Sequence, residues 1–215
     1  MDLILIIPIL LFSVVVHEVA HAWVAYQEGD DTAAQLGRIT LNPISHIDPL
    51  GSILVPAALY YFGGGVLFGW AKPVPVNPRK FRNYRRGDIR VSMAGIVANL
   101  ILAFVSAVLL IVVLRLGGSA PTGPDFLSTL AQALNYALTI NLILAWFNLL
   151  PVPPLDGSHV LYHMLPAALG ARYRAWGRYG VTLLFFAVFL FPGAISLVLA
   201  PVELVRGWVL SMALG

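Results

Sequence analysis

A segment that crosses a bilayer as a helix needs about 20 mostly apolar residues, and this chain meets that length repeatedly. Leu3 to Tyr26, Val91 to Leu116 and Phe126 to Leu150 each qualify. A further candidate lies within Tyr179 to Leu214, with Pro192-Gly193 in its middle and Pro201 beyond. These runs follow one another with no polar block large enough to fold separately. The expectation is an all-α, multi-pass membrane protein, a transmembrane helix bundle in which residues 1–215 form one integral-membrane domain. Its core helices are placed at about 3–26, 91–116 and 126–150, with a C-terminal helical region at about 179–214.

Between the first and second core helices the pattern changes. Residues 50–70 are apolar, but they hold Pro56 and Gly63-Gly64-Gly65, with Pro43, Pro49 and Pro73 nearby. That composition predicts a re-entrant or interfacial segment rather than a plain span. Gly37-Arg38-Ile39-Thr40-Leu41 alternates in polarity, and Val74-Pro75-Val76-Asn77-Pro78 cannot be helical. One or two short strands, a β-hairpin, are expected there.

Charged residues make up 11% of the chain, against about 25% in a soluble domain. The absence of cysteine excludes disulfides and thiolate metal sites, so a bound metal must use His, Asp or Glu. Lys72, Arg79, Lys80, Arg82, Arg85, Arg86 and Arg90 fall in one loop, and Arg172, Arg174 and Arg178 in another. Clusters of this kind in a membrane protein report topology, placing both loops in the cytoplasm. No nucleic-acid partner is expected, because the aromatic residues lie mainly in apolar runs. Met1-Asp2-Leu3 lacks a basic n-region, so the first apolar run reads as retained rather than as a cleaved signal.

The chemistry starts in that first run, at His17-Glu18-Val19-Ala20-His21. On a helix, residues i and i+4 share a face, so both imidazoles can reach one metal ion. Glu18 then lies beside the metal without ligating it, positioned as general base for the attacking water. A central charge in a membrane helix costs about 2.5–3.5 kcal/mol on insertion scales, so such residues need partners or a function. The plain alternative is a polar cluster that hydrogen-bonds neighbouring helices, which gives no reason for this spacing.

A catalytic zinc usually takes three protein ligands and keeps a fourth position open. Asn148 to Gly157, at the end of the third core helix, offers a candidate in Asp156, where prolines 151, 153 and 154 break the helix. The alternative for Asp156-Gly157 is a surface turn.

Taken together, a membrane-embedded H-E-x-x-H followed far downstream by N-x-x-P-x-P-x-L-D-G resembles the site-2 protease family of intramembrane zinc metallopeptidases. The likeness is to the short bacterial branch without a PDZ domain. It extends over Asn42-Pro43, His46 to Pro49, Gly69 to Pro78, and Ala94-Gly95 with Asn99. Ile96 stands where relatives often carry proline. The resemblance implies one zinc held by His17, His21 and Asp156, with Glu18 as catalytic base. It also implies that Asn148 helps to hold substrate, by hydrogen-bonding its backbone or the developing oxyanion.

Depth supplies a separate constraint. About 15 helical residues precede His17, roughly 22 Å at 1.5 Å per residue, and Asp156 follows the C-terminal end of its own segment. One metal can join them only if the first and third core helices run in the same direction. That requires residues 50–70 not to span. The N-terminus is then external and the metal lies toward the cytoplasmic side of the cell membrane. The expected partners are the bilayer and transmembrane protein or peptide substrates, with homo-oligomerisation left open. Gly37 to Leu41 reads either as an edge for an unwound substrate or as a purely structural hairpin.

His46, in a Pro-rich turn, reads as structural, and His159 with His163, lacking an intervening glutamate, do not read as a second zinc site. Asn99 reads as a cross-helix hydrogen-bonding residue. Rival functions are a membrane metal-ion transporter and an inactive protease-like scaffold. No internal repeat favours the transporter, and scaffolding needs no zinc chemistry.

Overall fold

A computed structural model of the chain describes residues 2–48, 54, 72–116, 126–180, 182, 186, 190 and 192–214. The long apolar runs form helices: α1 (Asp2–Glu28), α3 (Tyr84–Leu116), α4 (Phe126–Leu149) and α7 (Pro192–Leu214). A short α2 (Thr32–Gln35) follows α1, and α5 (Gly157–Met164) and α6 (Ala167–Trp176) follow α4. Four of these helices, α1, α3, α4 and α7, are long and apolar enough to cross a membrane.

The helices are arranged as a lipid-facing bundle rather than as a soluble one. Ile4, Ile7, Phe12, Ile101, Phe104 and Leu204 are exposed, while Ser13, His17, His21, Ser92, Asn99 and Asn141 are buried. With lipid outside, no hydrophobic force draws helices together, so close packing of small residues and interhelical hydrogen bonds hold them. In the cluster of Ala103, Leu110, Ala131, Leu138 and Val209, from α3, α4 and α7, two small alanines pack with larger apolar side chains.

Contacts at helix ends fix the directions. The main-chain N–H of Arg82 donates to Glu28 at 2.9 Å, and Arg90 pairs with Glu28 at 2.7 Å. The end of α1 and the start of α3 are therefore level, and these two helices are antiparallel. Arg115 at the end of α3 donates to the Met212 carbonyl at 2.7 Å, so α7 runs with α3. Trp146 donates to the Val198 carbonyl at 2.7 Å, and Arg206 to Asn135 at 3.3 Å, making α4 and α7 antiparallel. Thus α1 and α4 point one way, and α3 and α7 the other. The connection between α1 and α3 begins and ends at one level, as the depth argument requires. The proposed re-entrant stretch 50–70 lies outside the described residues, apart from Leu54.

Two expectations need correction. No strand forms among the described residues, including 37–41 and 74–78. Main-chain groups that a ladder would use have other partners. The Arg38 N–H closes the turn after α2 on the Ala33 carbonyl, and the Thr40 carbonyl accepts from His46 Nε2. Val74 N–H goes to a side chain, and Pro73, Pro75 and Pro78 have none to offer. Both Asn-Pro pairs instead start single 3₁₀ turns, where Asn42 and Asn77 accept from the main-chain N–H two residues on. Helix α3 also starts earlier than the apolar run, at Tyr84. At 33 residues it is about 50 Å long, so its basic first turns project beyond the hydrocarbon.

Candidate metal centre

Each imidazole of the first motif has one nitrogen committed. His17 Nδ1 donates to Asn99 Oδ1 at 2.6 Å, and His21 Nδ1 donates to the Val91 carbonyl at 2.7 Å. A carbonyl only accepts, so His21 carries its hydrogen on Nδ1. The orientation of Asn99 follows from its other end, where Nδ2 donates to Asn141 Oδ1 at 2.8 Å and to the Ser13 carbonyl at 3.3 Å. His17 is therefore the same tautomer. Asn141 is held in turn by donating to Ser13 Oγ at 2.9 Å and to the Ala137 carbonyl at 2.8 Å.

With both hydrogens on Nδ1, both Nε2 atoms present lone pairs, and these lie 2.9 Å apart. Asp156 completes the set. Its Oδ2 is 3.2 Å from His17 Nε2 and 3.3 Å from His21 Nε2, and it is buried without a hydrogen-bond donor. Two lone pairs and a carboxylate oxygen crowded at one point repel unless positive charge lies among them. Three converging donors of the His₂-carboxylate type are a set that a catalytic zinc takes. Among the described residues this is the one group of three or more such side chains close enough to share an ion. The donor set fits zinc.

Local sequence explains how Asp156 gets there. Pro151 ends α4, and the chain turns through Pro153 and Pro154, joined by a cis bond, before α5 begins. Asp156 occupies the N-cap position of α5, where an Asp side chain normally accepts from its own helix. Here it makes no capping bond. Gly157 passes so close to the Leu149 carbonyl that a Cβ would overlap it. Gly95 does the same on α3, where a Cβ would lie 2.5 Å from His17 Cε1.

Glu18 is not one of the three converging side chains: its Oε2 accepts from Val74 N–H at 2.8 Å. In Pro73-Val74-Pro75 that N–H is the sole main-chain donor. Arg38 holds the same stretch through the Lys72 carbonyl at 2.9 Å and the Pro73 carbonyl at 3.4 Å. Asn148 lies near the end of α4 and donates to the Leu144 carbonyl of its own helix at 2.9 Å. His46 is buried and bonded to the Thr40 carbonyl, a structural position.

The peptidase family M50 model matches residues 119–192. A Bacillus subtilis (strain 168) protein named "Putative zinc metalloprotease YwhC" is 42% identical over 183 residues, covering 85% of this chain and 78% of its own. The chain belongs to peptidase family M50. This is the site-2 protease family that the motifs resemble, and its names support a metalloprotease that uses zinc. "Putative zinc metalloprotease Rip2" of Mycolicibacterium smegmatis is 34% identical over 177 residues, covering 81% of this chain and 63% of its own. The Mycobacterium tuberculosis (strain H37Rv) protein of the same name is 32% identical over 157 residues, 73% and 56% of the two chains. No solved structure matches. Together with the four apolar helices, M50 membership makes this a multi-pass membrane protein.

Several features around this candidate centre were not read from the sequence. The Val91 carbonyl has no side-chain signature. Asn141 and Ser13 had one, since polar residues inside apolar helices call for partners.

Proposed function

We propose that this M50 protein is an intramembrane zinc endopeptidase, folded as one membrane domain, that hydrolyses peptide bonds of transmembrane substrates. The observation that carries the proposal is the convergence of His17 Nε2, His21 Nε2 and Asp156 Oδ2, with both Nδ1 hydrogens already committed. One zinc per chain would be held by these three side chains. Bound there, zinc would supply Lewis acidity, polarising the scissile carbonyl and lowering the pKa of water to about 7.

The chain's own residues do the rest. Glu18 takes the proton of the attacking water and delivers it to the leaving amine. The Val74 N–H fixes one carboxylate oxygen of Glu18, which limits rotation of the base. Asn148 spends one amide hydrogen on Leu144; its other hydrogen and its carbonyl oxygen are the groups proposed to meet the substrate main chain. A helical substrate must unwind locally, because its carbonyls are otherwise bonded within the helix. The exposed Arg79, Arg82, Arg85 and Arg86 share the level at which α1 ends and α3 begins, which supports a cytoplasmic position for that side. The N-terminus of α1 is then external, and the candidate centre lies toward the cytoplasm.

The test uses purified, reconstituted protein and a model single-span substrate. Wild type is expected to cleave it. Glu18→Gln is expected to lose about 10²–10⁴-fold in rate, the usual contribution of a general base. Equal rates would remove Glu18 from the mechanism.

A further inference from the structure

A second polar cluster lies one helix from the candidate centre, and no step of the proposed hydrolysis uses it. Asp88, near the start of α3, is buried. Its carboxylate accepts from His159 Nδ1 at 3.2 Å and from His163 Nε2 at 2.7 Å. Both histidines stand on α5, spaced i, i+4, so one face of that short helix grips one carboxylate. Tyr84, one turn before Asp88, packs edge-on against the His163 ring with centroids 5.2 Å apart. Arg174 of α6 donates to Tyr84 Oη at 2.8 Å, and its guanidinium lies 3.9 Å over the Tyr162 ring.

The place of this cluster gives it meaning. Asp156 immediately precedes α5, so whatever fixes α5 fixes that side chain. The other end of the grip is on α3, and α3 also governs both histidines of the centre. Val91 accepts from His21, Gly95 gives His17 room, and Asn99 accepts from His17. Asp88, Val91, Gly95 and Asn99 are spaced by three or four and form one stripe. A single helix therefore sets the positions of all three donors, two through direct contact and the third through Asp88.

We infer that Asp88, His159 and His163 form a clamp that positions Asp156 relative to His17 and His21. This rests on the zinc reading above. These are positioning residues: the His159 main-chain N–H donates to the Asp156 carbonyl at 3.0 Å, and the His159 and His163 side chains meet Asp88. A buried carboxylate held by two donors also resists dissociation, because losing either donor leaves it short of a partner in a low-dielectric site.

The experiment measures the rate at which purified, zinc-loaded full-length protein releases zinc to a chelator, together with its thermal unfolding midpoint. Outer residues that orient metal ligands typically change metal affinity by about 10–100-fold. His163→Ala and Asp88→Ala are expected to release zinc about tenfold faster. His159→Ala removes the exposed arm of the clamp, so it guards against simple failure to fold, and it should move the rate in the same direction. His163→Gln, whose amide can donate where Nε2 does, should restore the wild-type rate. Lowered unfolding midpoints with unchanged zinc release would make the cluster a mere helix anchor and overturn the clamp. His17→Ala is the control for the underlying reading. If it retains zinc, the centre itself is misassigned; if it loses zinc while the clamp variants release it as wild type does, only the clamp fails.

Discussion

A histidine that binds metal through Nε2 must keep its hydrogen on Nδ1, and in this chain that choice is enforced by neighbours rather than by the histidines themselves. Asn99 is the clearest case, because its amide simultaneously orients toward His17, Asn141 and Ser13. Asn99→Ala should weaken zinc binding by about 10–100-fold, measured by competition with a chromogenic chelator, with Asn141→Ala giving a smaller loss in the same direction. Unchanged affinity in both would mean that the tautomer is set some other way. The sequence pointed to the candidate donors at this scale because H-E-x-x-H and Asp-Gly are local patterns whose geometry follows from helix and turn. It did not reveal the Val91 carbonyl or the Val74 N–H, since every residue except proline carries both groups and only tertiary packing selects their partners.

Among the elements, two glycines at close approaches bear on the candidate centre. Helix α3 reaches His17 because Gly95 has no side chain, and α5 can begin under the end of α4 because Gly157 has none. Gly95→Ala should displace the His17 ring and lose zinc, while the long apolar helices keep their helical circular dichroism. Gly157→Ala must move the main chain of Leu149, and overpacking of this kind costs about 1–3 kcal/mol, readable as a lower unfolding midpoint. A wild-type midpoint in Gly157→Ala would show that the turn has slack. The long helices were legible from apolar length alone. The expected strands at 37–41 and 74–78 were not formed, because alternation and proline content describe extended chain without saying what its N–H groups will bond. Here His46, Glu18 and Asp30 supply partners: His46 donates to Thr40, Glu18 accepts from Val74, and Asp30 accepts from Asn77 at 2.6 Å.

For the whole molecule, the alternation of helix directions and the asymmetry of basic residues support the proposed orientation. The natural chain has no cysteine, so single-cysteine variants can report it directly. Arg86→Cys should react with a membrane-impermeant thiol reagent only from the cytoplasmic side, and Leu116→Cys, at the far end of α3, only from outside. The reverse pattern would invert the assignment. Parity was legible from sequence because one metal cannot join residues at opposite faces. The Asp88 clamp was not, since it joins residues 71 and 75 positions apart. The central claim is that His17, His21 and Asp156 together hold one zinc for chemistry performed by Glu18. Zinc content per chain, measured by elemental analysis on purified wild type, Glu18→Gln and Asp156→Ala, tests it most directly. The account predicts about one zinc in the first two, as three protein ligands and an open position require, and a loss of zinc in the third. Zinc retained by Asp156→Ala at the wild-type level, or lost from Glu18→Gln, would contradict it.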